Sequence, residues 1–272
     1  MLAADLVWPL HDAATSAFTL ENDDAAPEQA VVTAVERPVL LGYAPAHPNG
    51  RAMLILGGGG YTALMAGREG VQVACWLTAL GYHAFVLIHR FPHGGTGPSA
   101  PLDDAHAAMR LIRASPFGAA GVGVVGLSSG GHLASCLIAD YPSDWGSASP
   151  QRPDILVVGY APISTNAKGR TIVADKPPLP PVEKQALYDA LQPDAQLLPD
   201  PPPTFIVYSG NDPVVPVDNA HRLHVALKAA GTSPELHIFA DAPHGFALDT
   251  PDQPVSLWPR LCEAWLRQVG FL

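Results

Sequence analysis

A serine, a histidine and an aspartate in this sequence are placed where together they could carry out nucleophilic catalysis. Ser128 lies between Gly126 and Gly130 in a Gly-x-Ser-x-Gly pattern, after a short apolar run and before a helix-forming segment. Glycine is needed on both sides of such a bend, because a sharp strand-to-helix turn brings the flanking backbones too close for Cβ atoms. The helix would place its N-terminal N–H groups beside the serine, where negative charge develops during acyl transfer. The pattern predicts a nucleophile at Ser128.

The base and the acid that such a serine requires are predicted at the ends of two later strands. A serine hydroxyl is a weak nucleophile, and it needs a histidine whose ring is held in one tautomer by a carboxylate. Asp212 follows the strand predicted at 204–208, and His244 follows the strand predicted at 235–239. Active sites of parallel sheets lie at the carboxyl ends of the strands, where Ser128 is also expected. The three side chains are therefore predicted to meet at one edge of a sheet.

Other acidic and histidine residues fit these roles less well. Asp218 is expected inside a helix, and Asp241 is only three residues before His244, too close in a turn to approach the ring. Both are reserve candidates for the acid. His132 lies four residues after Ser128 on the same helix, so its ring is expected to pack along that helix and not to cross the cleft.

Four consecutive glycines, at 57–60, follow the buried strand predicted at 52–56. They leave backbone N–H groups uncovered and let the chain approach a ligand closely, as an oxyanion or phosphate site requires. A phosphate loop is disfavoured because no Gly-Lys-Ser/Thr follows. A dinucleotide site is disfavoured because the next strand ends in His89 and Arg90, where an acidic residue would be needed. The glycines are expected to bind an oxyanion.

Strand and helix patterns alternate along most of the chain. This alternation predicts an α/β fold with a mostly parallel central sheet and helices on both faces. Residues 1–30 show no sustained period and are expected to form an N-terminal arm on the surface, followed by a single domain at 31–272. The Pro-rich stretch at 163–203 is expected to be a short insertion over the active site. The segment at 122–138 is predicted to be a short strand, a turn and a helix. The other predicted strands are 52–56, 83–88, 155–160, 204–208 and 235–239, and the other predicted helices are 68–80, 102–114, 182–191, 217–230 and 256–269.

Charge and cysteine content argue against several classes of function. The chain has 25 acidic and 15 basic residues, a formal net charge of −10, and its basic residues are scattered, so nucleic acid is not expected as a partner. No apolar run is long enough to span a membrane. The three cysteines are far apart, which favours free thiols. His221 and His224 have no third ligand nearby, and no metal is expected.

Several segments together carry a family resemblance. They are 58–61 (Gly-Gly-Gly-Tyr), 68–70 (Arg-Glu-Gly), 81–87 (Gly-Tyr-His-Ala-Phe-Val-Leu), 126–134 (Gly-Leu-Ser-Ser-Gly-Gly-His-Leu-Ala), 212–216 (Asp-Pro-Val-Val-Pro) and 244–246 (His-Gly-Phe). From about residue 35 to the C-terminus, the sequence resembles the α/β-hydrolase esterases grouped with acetyl-xylan and related carbohydrate esterases. The resemblance implies an α/β-hydrolase fold in which Ser128, Asp212 and His244 form the catalytic triad.

The resemblance also implies an oxyanion hole formed by the N–H groups of Gly59, Gly60 and Ser129. One departure is visible, because Gly57 stands where a proline or a histidine usually opens the glycine motif. The departure concerns the rigidity of the loop more than its role.

The implied function is hydrolysis of a small-molecule or oligosaccharide ester, with an acetyl group removed from a sugar through an acyl-serine intermediate and without a cofactor. The nearest alternative is a general short-chain carboxylesterase of small lipophilic esters. A peptidase is less expected, because peptidase relatives usually carry a large gating domain, and so is a non-catalytic ligand receptor, because no triad member is missing. Short acyl groups should be preferred, since the segment at 163–203 cannot form a large apolar cap. Tyr61, beside the glycines, and Phe246, beside His244, are expected to line the acyl site.

Overall fold

The structure is a computed structural model, and it describes residues 2–11, 14–22, 27–145, 150–173 and 175–272. Its strands are β1 (Leu6–Pro9), β2 (Ala17–Glu21), β3 (Val31–Arg37), β4 (Val39–Tyr43), β5 (Ala52–Leu56), β6 (His83–Ile88), β7 (Val122–Leu127), β8 (Ile155–Gly159), β9 (Thr204–Ser209) and β10 (Glu235–Phe239). Its α-helices are α1 (Gln72–Ala79), α2 (Ala100–Ala114), α3 (Ser129–Cys136), α4 (Val182–Ala190), α5 (Asp218–Ala229) and α6 (Trp258–Gln268). None of these helices is long and apolar enough to cross a lipid bilayer.

Eight strands form one sheet, in the order β1-β4-β6-β5-β7-β8-β9-β10. The strands from β6 to β10 in this order run parallel to their neighbours, whereas β4 runs antiparallel to both β1 and β6. β2 and β3 form a separate antiparallel pair. The prediction of an α/β fold with a mostly parallel central sheet is confirmed.

The centre of the sheet is covered on both faces. All residues of β5, β7 and β8 are buried, which is why these strands appear in the sequence as unbroken apolar runs. α1 and α6 meet through Trp76 and Trp258, whose ring centroids are 5.3 Å apart. α2 contacts α3, and α1, α2 and α3 all contact β5. This packing holds in place the strand ends that precede Ser128, Asp212 and His244.

The N-terminal segment differs from the expected surface arm. β1 pairs with β4 at the edge of the central sheet, and Leu10, which follows β1, is fully buried. Trp8 stacks on Phe85 of β6, with the ring centroids 5.3 Å apart. Leu6, Trp8 and Leu10 alternate along the chain and face the protein interior. This alternation is too short to be recognised in the sequence as the two-residue period of a strand. The described part of residues 1–30 thus contributes to the sheet.

The segment at 163–203 packs against the rest of the protein through its helix. The helix predicted at 182–191 is observed as α4, and Leu187, Tyr188 and Leu191 are buried against the core. The segment therefore has a fixed position at the edge of the sheet where Ser128 lies.

Candidate active site

The bend that carries Ser128 is shaped by close contacts between backbones. β7 ends at Leu127 and α3 begins at Ser129, so Ser128 makes the turn, with φ 52° and ψ −125°. A Cβ on Gly130 would lie only 1.9 Å from the carbonyl oxygen of Leu56. A positive φ is strained for serine and persists only where the surrounding structure enforces it. The turn presents the Ser128 hydroxyl at the carboxyl end of β7.

Two hydrogen bonds join Ser128, His244 and Asp212. Ser128 Oγ lies 3.0 Å from His244 Nε2, and His244 Nδ1 lies 2.7 Å from Asp212 Oδ2. The Asp212 side chain is fully buried, and that of His244 is 20% exposed. When Nδ1–H donates to the carboxylate, Nε2 is left as an acceptor for the serine proton. The arrangement can therefore transfer a proton from the serine hydroxyl to the histidine.

The Asp212 carboxylate is oriented by the backbone that follows it. Its Oδ1 accepts hydrogen bonds from the N–H groups of Val214 and Val215, both at 2.8 Å. Two donors on one oxygen fix the carboxylate plane, so that Oδ2 faces His244. This arrangement gives each oxygen of the buried carboxylate its own partners, as a buried charge requires.

The two reserve candidates for the acid lie elsewhere. Asp241 is exposed, and its Oδ1 accepts a hydrogen bond from Asn211 Nδ2 at 2.6 Å. Asp218 belongs to α5, as expected, and is its first residue. Among the described contacts, neither carboxylate meets His244.

His132 lies on α3 and is fully buried, so it does not face the cleft. Its Nδ1 accepts a hydrogen bond from the Tyr61 hydroxyl at 2.8 Å, and its Nε2 donates to the Leu191 carbonyl at 2.9 Å. Burial lowers the pKa of His132 to about 4. The ring is therefore neutral at neutral pH, which this combination of one acceptor and one donor requires.

Tyr61 and Phe246 do not line the acyl site, contrary to the prediction. Tyr61 is 1% exposed and Phe246 is 0% exposed. The ring of Tyr61 packs edge-on against Tyr188 at 5.5 Å, and that of Phe246 packs against Tyr160 at 4.5 Å. A place beside a site residue in the sequence does not fix the direction of a side chain, and both rings turn toward the core, where they bury more apolar surface.

The glycine loop lies against Ser128, and its N–H groups have different partners. A Cβ on Gly58 would lie 2.5 Å from the Cβ of Ser128. The N–H of Gly60 donates to Ser129 Oγ at 2.9 Å. Ser129 is the first residue of α3, so its own N–H has no intrahelical acceptor. Gly59 has φ 133°, a conformation that only glycine adopts readily.

Glu69 supports the glycine loop, a role that the sequence did not predict. Its side chain is almost fully buried; Oε2 accepts the N–H of Gly58 at 2.5 Å, and Oε1 accepts the Tyr160 hydroxyl at 3.0 Å. Burial raises the pKa of this carboxyl above its ordinary value, and the hydrogen bonds from Gly58 and Tyr160 partly offset this by lowering it. The Arg-Glu-Gly motif at 68–70 was the sequence signal that could have indicated this role. A buried acidic residue needs hydrogen-bond donors, so Glu69 had to have partners within the fold.

A cavity of about 180 Å³ contains Ser128 in its lining. A second cavity, of about 300 Å³, shares Asn166, Lys176 and Leu179 with it and extends into the segment at 163–203. Lys176 and Lys184 were not predicted as site residues, because no local pattern shows how an insertion folds back over a sheet. The lining of the first cavity includes Gly60, Ser129, Lys176, Lys184, Tyr188 and Val215.

The cysteines and the acidic and histidine side chains show no sign of a metal centre in the described residues. Among the residues that the structure describes, no group of three or more His, Cys, Asp or Glu side chains is close enough to hold a metal ion. Cys75, Cys136 and Cys262 are all free thiols, as the sequence predicts.

Comparison with known sequences shows similarity over most of the chain. The model of the prolyl oligopeptidase family matches residues 98–269, a range that includes Ser128, Asp212 and His244. An acetylxylan esterase from Xylanibacter ruminicola is 29% identical over 224 residues, which are 76% of this chain and 43% of that protein. The chain thus spans less than half the length of this relative.

Comparison with solved structures confirms the α/β-hydrolase fold. An acetyl ester-xyloside bifunctional hydrolase from Caldicellulosiruptor lactoaceticus has a TM-score of 0.68 and 32% identity, over 87% of this chain and 89% of that one. A carboxylesterase from Lactobacillus plantarum has a TM-score of 0.69 and 20% identity, over 95% and 98% of the two chains. The latter likeness concerns the fold alone. The sequence relative and the hydrolase from Caldicellulosiruptor lactoaceticus confirm the resemblance to carbohydrate esterases.

Proposed function

This chain belongs to the prolyl oligopeptidase family, and we propose that within this family it is a serine carboxylic ester hydrolase that removes acetyl groups from a sugar or an oligosaccharide. The observation that carries the proposal is the hydrogen-bonded series from Ser128 through His244 to Asp212, beside a cavity that Ser128 itself lines. The esterases to which the chain is similar support the choice of an ester over a peptide substrate.

The proposed reaction begins when Ser128 Oγ attacks the acetyl carbonyl and its proton passes to His244 Nε2. The tetrahedral intermediate then expels the sugar oxygen, which takes the proton from Nε2, and an acetyl-serine remains. A water molecule attacks this ester and gives its proton to the same nitrogen. Acetate leaves, and Ser128 regains its proton. Asp212 accepts from Nδ1–H throughout, so that Nε2 faces the reacting oxygen.

The proposed oxyanion hole combines the loop at 57–60 with the start of α3. The N–H of Ser129 has no intrahelical acceptor and is free to bind the developing negative charge. The N–H of Gly60 donates to Ser129 Oγ at 2.9 Å, and the oxyanion would replace that hydroxyl as its acceptor. The N–H of Gly59 is assigned to the same role. Glu69 holds the loop in place through Gly58.

The lining of the cavity favours short acyl groups. Asn166, Lys176 and Lys184 place polar groups around the space of about 180 Å³ beside Ser128, so a long acyl chain would not be fully enclosed by apolar side chains. Each additional methylene would then gain little of the roughly 0.8 kcal/mol that full burial gives. We expect 4-nitrophenyl acetate to be cleaved faster than the butyrate, and the octanoate to be a poor substrate.

The proposal is tested by measuring acetate release from acetylated xylo-oligosaccharides together with turnover of the aryl esters. Ser128→Ala should lower kcat by on the order of 10⁶-fold, because the covalent nucleophile is lost. Ser256→Ala, in the turn before α6, is the matched control and should retain turnover. A fluorophosphonate should label Ser128 and leave Ser129 unmodified, as peptide mapping would show.

Four results would change the assignment. Undiminished turnover by Ser128→Ala, or labelling at Ser129, would refute the nucleophile. Rates that rise steadily from acetate to octanoate, with no acetate released from any sugar, would favour an esterase of lipophilic substrates. Faster cleavage of peptide amides than of any ester would make the protein a peptidase.

A further inference from the structure

Two lysines share the cavity with Ser128, and both are partly buried. Lys176 lies in the segment at 163–203, and Lys184 lies in the first turn of α4. The ammonium of Lys184 is close to the glycine loop, since a Cβ placed on Gly60 would lie 3.6 Å from its Nζ. Positive charge is therefore placed beside the atoms that would surround a scissile ester.

This positive charge is not neutralised by the protein in its described part. Lys176 Nζ donates to a neutral amide oxygen, Asn166 Oδ1, and Lys184 has neither a hydrogen-bond acceptor nor a carboxylate partner among the residues described. Burial lowers the pKa of both lysines, and repulsion from Lys176 lowers that of Lys184 further. Asp189 lines the neighbouring cavity, but its Oδ1 is already taken by the Gln185 side chain and the Lys168 N–H.

The contrast with the other cations of the chain is informative. In a protein with 25 acidic residues and 15 basic ones, carboxylates are plentiful. Three partly buried arginines use them, in the pairs Arg90 with Asp104, Arg170 with Asp194 and Arg68 with Asp249. Others, such as Arg152 and Arg222, donate instead to backbone carbonyls, whereas Lys184 has neither kind of acceptor among the residues described. Desolvating an unpaired charge is unfavourable. Two ammonium groups in one cavity, without a carboxylate partner among the described residues, are therefore placed to attract an anion from outside.

We propose that Lys176 and Lys184 form an anion subsite that binds a carboxylate on the ester substrate. This inference rests on the proposed function for the ester, and it adds the chemical class of the substrate. The carboxylate has two sources, an acidic sugar as the acetyl acceptor or a dicarboxylic acyl group. The second cavity, which Lys176 also lines, provides about 300 Å³ for the part of the substrate that carries it.

Matched substrates distinguish these two sources. For the acceptor, an acetylated uronic acid is compared with its uronamide, which has the same shape and no charge. For the acyl group, phenyl hemisuccinate is compared with phenyl succinamate. The measured quantity is the ratio of kcat/KM for the charged substrate to kcat/KM for the neutral one. Effects that change both rates equally cancel in this ratio. We expect a ratio of about tenfold or more in one pair, the size that a hydrogen bond between charged groups can supply.

Lys184→Met and Lys176→Met test whether the ratio depends on the two ammonium groups. Each change keeps much of the side-chain length and removes the charge, and each should bring the ratio toward one. Lys228→Met, on the exposed face of α5, is the matched control and should leave the ratio as in the wild type. A ratio near one for both substrate pairs in the wild type overturns the proposal. So does a ratio in Lys184→Met equal to that of the wild type, in the pair for which the wild type shows a preference. If Lys184→Met lowers kcat/KM equally for the charged and the neutral substrate, the ratio is unchanged and the proposal is overturned. Lys184 would then stabilise the oxyanion and not a substrate carboxylate.

Binding to Ser128→Ala protein separates this inference from the proposed function. Calorimetry with the acetylated uronic acid and with its uronamide reports the subsite without turnover. A preference for the acid that Lys184→Met abolishes supports the subsite even if no ester is hydrolysed. Turnover of neutral acetates without any preference for the charged member of either substrate pair leaves the proposed function in place and refutes the subsite.

Discussion

Replacement of Asp212 by Asn reverses the hydrogen-bond polarity of the proposed triad. The two N–H groups of Val214 and Val215 both point at Oδ1, so the amide oxygen of an asparagine must take that place. An NH₂ group there would face two donors and accept from neither. The NH₂ group is consequently forced to the position of Oδ2, 2.7 Å from His244 Nδ1.

This change selects the wrong histidine tautomer. With a donor facing it, His244 Nδ1 must become the acceptor, and the ring proton moves to Nε2. Nε2–H then points at Ser128 Oγ, 3.0 Å away, and has no lone pair for the serine proton. The expected loss is roughly 10⁴-fold in kcat, which corresponds to about 5 kcal/mol in the barrier.

The assay is kcat for 4-nitrophenyl acetate at saturating substrate, with the urea unfolding midpoint measured in parallel. Asp212→Asn should unfold near the wild-type midpoint, since the two backbone hydrogen bonds are kept. Asp241→Asn is the matched control, because Asp241 is exposed and has no contact with His244 among the described residues. A kcat within about tenfold of the wild type for Asp212→Asn, or a larger loss for Asp241→Asn, would refute the reasoning.

Two further predictions concern stability. Unfolded His132 takes up a proton near its usual pKa of 6.5 and the folded ring only near about 4. As the pH is lowered from 6.5 to 4, the free energy of unfolding should therefore fall, by on the order of 3 kcal/mol from this group. In urea titrations at several pH values, His132→Gln should show a correspondingly smaller dependence of the free energy of unfolding on pH. An identical pH dependence in the variant and the wild type would contradict the argument. Gly130→Ala should destabilise by about 3 kcal/mol and abolish turnover, because its Cβ would meet the Leu56 carbonyl at 1.9 Å. Gly94→Ala, where a Cβ meets only an ordinary contact at 3.6 Å, is the control, and equal stability of the two variants would be evidence against the prediction.

The strand ends and their contents could be predicted from the sequence because the parallel strands are continuous apolar runs. A strand buried on both faces leaves a clear pattern, and the residues that follow it must lie at the carboxyl edge. The contact of Ser128, His244 and Asp212 follows from that placement. Their catalytic roles stay predictions until the variants are measured.

The remaining features depend on packing between distant segments. β1 is only four residues long and is a strand because β4 offers an edge to it. Tyr61 turns inward because His132 offers an acceptor for its hydroxyl. Lys176 and Lys184 meet in one cavity because of the path of the chain at 163–203, which has no periodicity to reveal it. Local sequence carries no signal for such long-range choices.

α4 forms one wall of the cavity, and its attachment determines how a substrate can enter. Leu191, directly after α4, accepts a hydrogen bond from His132 on the helix that begins beside Ser128, and Tyr188 packs on the same ring with centroids 4.8 Å apart. To swing outward as a lid, α4 would have to break this buried hydrogen bond and expose both aromatic rings. The entrance is therefore preorganised, and little conformational entropy is lost when a ligand binds. A change of substrate preference accordingly requires new side chains on a fixed wall, and Lys184 is the position on α4 where such an exchange leaves the anchoring contacts intact.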